Sequence, residues 1–301
     1  MPAGEDLTSA ADPVRRILLA EIDRAIAGLS RAELSDETVH EVRKDLKRAR
    51  ATLRLLRPAI GPRLYHRYNL KMRDAARPLT PVRDAMILLA TLKELAKGAR
   101  GSASFLSELR SELRDEHTRA REQLAGAEIK HLRTLMSELR QSLQSLSEQL
   151  LDRRALREAL QRSYRVGRKA FRRAQKTTSD EQLHEWRKQT KYYLHQLEVV
   201  ALLEGDRFAK RRKRASRLSD RLGDDHDLAV LHARMLARAA DAPSGSAVKD
   251  LLRTLARRRK RLQRKAARLG EQLYSKKPRR VGRKAARRLA PRATRLPAAV
   301  D

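Results

Sequence analysis

Two decamers in this chain carry side chains suited to holding an anion. "SDETVHEVRK" at 35–44 returns 144 positions later as "SDEQLHEWRK" at 179–188, with seven of the ten residues agreeing in place. Each copy contains His-x-x-Arg-Lys, which is His40, Arg43 and Lys44 in the first and His184, Arg187 and Lys188 in the second. Arginine offers a planar fork to phosphate oxygens, lysine a compact point charge, and imidazole a donor that ordinary pH can tune. None of the three requires a base or a sugar in its ligand.

On a helix stepping about 100° per residue, Val39, Val42, Leu46, Ala49, Leu53 and Leu56 form one apolar arc. His40, Arg43, Lys44, Lys47, Arg50 and Arg54 fall in a separate arc of about 120°, with Glu41 and Asp45 beyond it. A helix built only for solubility interleaves opposite charges at i,i+4, whereas this one stacks like charges, which costs a few tenths of a kcal/mol per pair, of the order of ~0.3. The second copy repeats the ladder with His184, Arg187, Lys188, Lys191 and His195, opposite an apolar arc of Trp186, Thr190, Tyr193, Leu197 and Val200. A solvated charged face is the bland account of any single basic helix. Duplication of the same His, Arg and Lys positions favours a shared ligand instead.

Downstream, Arg63, Arg67, Arg73 and Arg77 form a looser stripe, matched by Arg207, Arg211, Arg214, Arg217 and Arg221. These are expected to close the other wall of a basic channel. "VRDAMIL" at 82–88 parallels "DHDLAVL" at 225–231 after a one-residue slip, so His226 stands where the first half has Arg83.

These ladders need long helices, and the punctuation supplies them. Asp12-Pro13 opens a first helix that ends near Gly28, and others are expected at about 35–57, 63–77, 82–97, 103–125 and 128–150. A second set follows at about 152–175, 180–203, 206–221, 225–240 and 246–274. The expected class is all-α, with two antiparallel helical bundles related by a pseudo-twofold, halves at about 10–150 and 151–275, and a basic central surface or channel. From Lys276 to Asp301 the chain has ten Lys or Arg and one acid, interrupted by three prolines, and a mobile basic tail is expected.

Across 301 residues, 70 Lys plus Arg stand against 37 Asp plus Glu, a net +33 that calls for a polyanionic partner. Composition alone admits DNA, RNA, an anionic membrane or inorganic polyphosphate. The absence of cysteine removes disulfides, thiolate metal sites and cysteine nucleophiles, and fits a reducing cytosol. "AMILLA" at 85–90 falls far short of a bilayer span, and the acidic, polar start "MPAGEDLTSAADP" is unlike a signal peptide, so a cytoplasmic protein with no membrane partner is expected. Aromatic residues make up only 3%, which weakens base-stacking readings of nucleic acid without removing backbone binding to duplex DNA.

No phosphate loop, dinucleotide fingerprint, nucleophile elbow or His-Glu-x-x-His occurs. "DDHD" at 224–227, with His232 beyond it, raises a metal-dependent phosphohydrolase as an alternative, yet the matching Arg83-Asp84 cannot ligate through its arginine. Asp84 and Asp227 read better as partners orienting a neighbouring arginine. The expectation is a protein without catalytic residues, metal or cofactor.

The repeated His-x-x-Arg-Lys-x-x-Lys helix, the Arg-rich helix after it and the duplicated helical plan together resemble the CHAD family, the conserved histidine α-helical domain, over about 10–275. The first half carries His40, Arg43, Lys44, Lys47, Arg48 and Arg50, then Arg73, Arg77 and Asp84. The second keeps His184, Arg187, Lys188 and Lys191, with Leu194 in place of an expected arginine. The resemblance implies two helical bundles lining a central surface that binds inorganic polyphosphate, an association with polyphosphate granules, and a stand-alone binder without a fused triphosphatase domain. A nucleoid-type nucleic-acid binder is the second reading.

Overall fold

The structure, a computed structural model, describes residues 11–97, 102–124, 126–146, 153–241 and 245–289; the expected tail from 290 onward lies outside them. The described residues are helical with no strand: α1 (Ala11–Leu29), α2 (Asp36–Ala76), α3 (Thr80–Ala96), α4 (Ala103–Gln123), α5 (Ala127–Gln144), α6 (Arg153–Lys176), α7 (Asp180–Glu204), α8 (Ala209–Asp241), α9 (Ser246–Tyr274) and α10 (Pro278–Leu289). This is the all-α class expected. None of the described helices is long and apolar enough to cross a membrane.

The ladder helices start alike. Ser35 Oγ accepts the Thr38 N–H and Ser179 Oγ accepts the Gln182 N–H, each at 3.2 Å, and acids occupy both first turns. A neighbouring helix holds each start: His117 of α4 reaches Asp36 at 2.9 Å, and Arg259 of α9 holds Asp180.

The expected break after 57 appears as a kink inside α2, at Gly61 with φ +76°, a conformation that suits a residue without a side chain. Near 222 the expectation fails, because α8 runs unbroken from Ala209 to Asp241. The first half has Pro78 and Pro81 at the equivalent place. The second has only Gly223, which costs a helix about 1 kcal/mol. Buried Leu222 and Asp225 offset that cost, Asp225 accepting from Arg259 at 3.3 Å and Gln263 at 3.1 Å.

Two apolar clusters hold the described helices together. The larger joins α1, α2, α5, α6 and α7, with the start of α8 and the end of α9. The smaller joins leucines of α3 and α4 to Leu228, Leu231 and Met235 of α8 and Leu251 and Leu255 of α9. Each cluster therefore draws on both halves of the sequence. At the centre of the larger one, Tyr164, Phe171, Trp186, Tyr193 and Tyr274 make ring contacts at 5.0–5.8 Å.

Part of the expected tail is helical. Helix α10 packs against α6, with Val281 and Ala285 buried, and a Cβ on Gly282 would sit 2.2 Å from Gln161 Oε1. Two apolar residues four apart outweigh the charge that suggested mobility for 278–289.

Candidate functional site

Helices α2 and α7 pack on each other and bring the two repeated motifs together, with α3 and α8 alongside. Arg43 and Arg187 take equivalent places, each only 8% exposed. Arg43 donates from Nη1 to Ala76 O and Thr80 Oγ1, both at 2.6 Å, so the end of α2 and the start of α3 aim the guanidinium. Its Nε–H, like that of Arg187, is buried without a protein acceptor. Burial lowers Arg43 to about 10 and lowers Arg187 as well, and the nearby charges of Asp84 and Asp227 respectively oppose that shift.

The cations of the two halves lie within electrostatic reach of one another. Burial first, then Arg43, Arg83, Lys191 and Arg187, lowers Lys47 to about 7. Burial, Arg187 and Arg83 lower Lys191 to about 8. The imidazoles of His184 and His226 touch at 4.8 Å between ring centres, and burial followed by Arg187, His184 and Arg83 pushes His226 down to about 4. His40 and His184 are also lowered, chiefly by burial. These surroundings favour the uncharged form of all three imidazoles.

Arg43, Lys47 and Arg50 share one cleft of about 470 Å³ with Arg73, Arg77 and Thr80. The stripe at the end of α2 thus meets the first ladder, while Arg50 also holds Asn69 Oδ1 at 3.1 Å. Lys44 and Lys188 each pair with an acid three residues earlier, Glu41 at 2.9 Å and Glu185. The expected separation of acids from bases is therefore incomplete at these two positions, because three residues is one helical turn.

Six expected site residues lie elsewhere or are otherwise engaged. Arg48 faces buried Asp45, 3.9 Å away, which also accepts from Arg24 at 3.2 Å. Arg54 stacks on Tyr192 at 4.0 Å, inside the α2–α7 seam. His195 pairs with Glu198 at 2.9 Å. Arg214 lines a different cleft, at the start of α8. Arg217 and Arg221 are exposed on α8, Arg221 meeting Asp224 at 3.2 Å. Thr80 and Asn69 were missed, since uncharged partners leave no trace in a charge pattern. Among the described residues, no group of three or more His, Asp or Glu side chains is placed to hold a metal.

Two solved structures share this architecture. PptA from Streptomyces chartreusis superposes with a TM-score of 0.63 at 16% identity, covering 89% of this chain and 100% of that one. The CHAD domain from the plant Ricinus communis gives 0.59 at 19% identity, covering 95% and 94%. A search of curated proteins found no match. The CHAD domain family model matches residues 15–236, a span that includes both ladder helices and their caps. With its two Ser-capped His-x-x-Arg-Lys helices packed against each other, this chain belongs to the CHAD family.

Proposed function

We propose that this protein binds inorganic polyphosphate and leaves it chemically unchanged. One observation carries the reading: two equivalent buried arginines, Arg43 and Arg187, each keep a donor without a protein acceptor, beside lysines whose charge the fold disfavours. A buried, unpaired donor costs about 1–3 kcal/mol, and an incoming phosphate oxygen removes that cost. A polymer with a charge on every unit meets several such donors in succession. Membership of a family that the sequence resemblance links to polyphosphate points the same way.

The polyanion is held between α2 and α7 by Arg43, Lys47, Arg187 and Lys191, with Arg83 between the halves and Arg50, Arg73 and Arg77 along one wall. Lys44 and Lys188 supply rim contacts that must exchange with Glu41 and Glu185. His40 and His184 act as neutral donors to phosphate oxygen. The protein would be found where polyphosphate accumulates, such as polyphosphate granules.

The test is a competition titration near physiological salt, with labelled long-chain polyphosphate displaced by duplex DNA, single-stranded RNA, triphosphate or orthophosphate at matched phosphate concentration. Long polyphosphate should win, and Arg43→Glu with Lys47→Glu, Arg187→Glu and Lys191→Glu should sharply weaken its binding. Equal competition per phosphate by DNA or RNA would replace this reading with nucleic-acid binding. Release of orthophosphate on adding divalent metal would make the protein a hydrolase.

A further inference from the structure

The linker between α9 and α10 is tied down. Buried Tyr164 donates from its hydroxyl to Lys276 O at 2.8 Å, and Arg168 Nε donates to Tyr274 O at 3.0 Å. Against this fixed linker lies the start of α8, and the two enclose a cleft of about 560 Å³ with α10. Its rim carries Arg207, Lys210, Arg211, Arg214, Lys276 and Arg280, six cations from three stretches of chain. Asp206 is the one acid among the lining residues, and Arg212 holds it at 2.7 Å. The floor is apolar, formed by Phe208, Leu273 and Val281, all buried.

The rim is partly preorganised. Arg211 donates to Tyr193 Oη at 3.1 Å and lies over the Tyr164 ring at 5.2 Å, which fixes its direction before any ligand arrives. Both α8 and α10 begin here, so the positive ends of two helix dipoles add to the side-chain charge. An apolar floor limits water at its surface and strengthens each charge interaction above it. The site is separate from the ladders, because Arg214 and His226 are twelve residues apart on unbroken α8, about 18 Å along its axis. The linker and α10 also lie beyond the residues that match the family.

We infer that this cleft is a second anion site, one that takes a compact run of condensed phosphates, either the triphosphate of a nucleotide or a segment of a longer polyphosphate chain. A small concave site whose cations converge from three sides suits a few closely linked phosphates better than the broad, stiff backbone of a duplex. The apolar floor beside the cations gives a place for a nucleoside if the ligand is a nucleotide. The site stands independently of the ladder reading, since no ladder motif residue contributes to it.

The experiment is calorimetric titration of the full chain with tripolyphosphate, followed by ATP and long-chain polyphosphate as separate arms. Lys210→Glu, Lys276→Glu and Arg280→Glu combined change three exposed side chains. The wild type is expected to bind two tripolyphosphates, the cleft variant to lose one of them by at least tenfold in affinity, and Lys47→Gln with Lys191→Gln to keep that one. The corresponding Gln variant of the cleft should give a smaller loss in the same direction and guards against misfolding of the charge-reversed protein. ATP competing at the cleft as well as tripolyphosphate does would identify a nucleotide source; weaker competition would identify free polyphosphate. Unchanged stoichiometry and affinity in both cleft variants, or loss of both sites in the ladder variant, would overturn the inference. Failure of the ladder reading has a different signature, namely long-chain polyphosphate bound by the ladder variant with the affinity and stoichiometry of the wild type.

Discussion

At pH 8, a Lys47 lowered to about 7 is mostly neutral in the free protein, although an unfolded chain would keep it charged up to about 10.4. Between those values the unfolded state binds more protons than the folded one. The ligand-free protein therefore gains stability from this residue as pH rises through 7 to 10, and the penalty is complete below 7. A polyanion reverses the preference by favouring the charged form, so binding at pH 8 should take up protons. Titrations in buffers of different ionisation enthalpy will show this as buffer-dependent heat, which Lys47→Met should reduce, leaving the share of Lys191, while raising the melting temperature of the free protein and weakening polyphosphate binding by about 2 kcal/mol or more. Buffer-independent heat at pH 8 would contradict the assignment. Glu21 has the opposite sign. Burial raises it to about 7 and leaves Oε2 unpartnered, so its contribution to stability falls as pH rises through 4.5 to 7, and Glu21→Gln should stabilise the protein at pH 8 by about 1 kcal/mol in denaturant titrations. The cations that α2 and α7 bring together were legible at this scale, because repeated charge on one helical arc is visible in sequence. For Arg48, Arg54 and His195, helical phase gives a direction but not the neighbour that waits there: Asp45, Tyr192 and Glu198 each engage one of them.

Helix α9 approaches α6 and α7 closely only because position 270 has no side chain. A Cβ on Gly270 would sit 2.6 Å from both Phe171 and Trp186, rings that cannot move aside without disturbing the aromatic cluster. Gly270→Ala should therefore cost about 1–3 kcal/mol of stability, measurable as a shifted urea midpoint, and a neutral result would mean that the aromatic cluster repacks easily. Elements were legible where the chain writes a strong stop. Pro58, Gly61 and Pro62 announce the kink in α2, whereas Gly223 with two aspartates reads like a stop and is not one, because burial of Leu222 and the hold of Arg259 and Gln263 on Asp225 outweigh a weak propensity. Helix α10 was hidden by its composition. Its arginines and flanking prolines suggest a tail, while the deciding signal is only Val281 and Ala285, one turn apart, with Gly282 allowing close approach to Gln161.

For the whole molecule, +33 is a standing self-repulsion that a bound polyanion relieves. Long-chain polyphosphate at a hundred times its dissociation constant should stabilise the fold by about 2.7 kcal/mol, and the accompanying rise in melting temperature should shrink steeply as salt increases, since binding releases counterions. A salt-insensitive shift would contradict a charge-driven grip. The class of fold was legible from helical punctuation, but the distribution of the core was not. Leu88, Leu92 and Leu95 of the first half find their partners in α8 and α9 of the second, and a repeat in sequence does not say whether its copies pack within themselves or across. That sharing has a consequence for biosynthesis. As the chain leaves the ribosome, helices α1 to α5 emerge with the apolar flanks of α2 and α3 still bare, waiting for α6 to α9 to be made. The newborn first half is therefore a natural client for chaperones, and each polypeptide commits to its native state only near the end of translation.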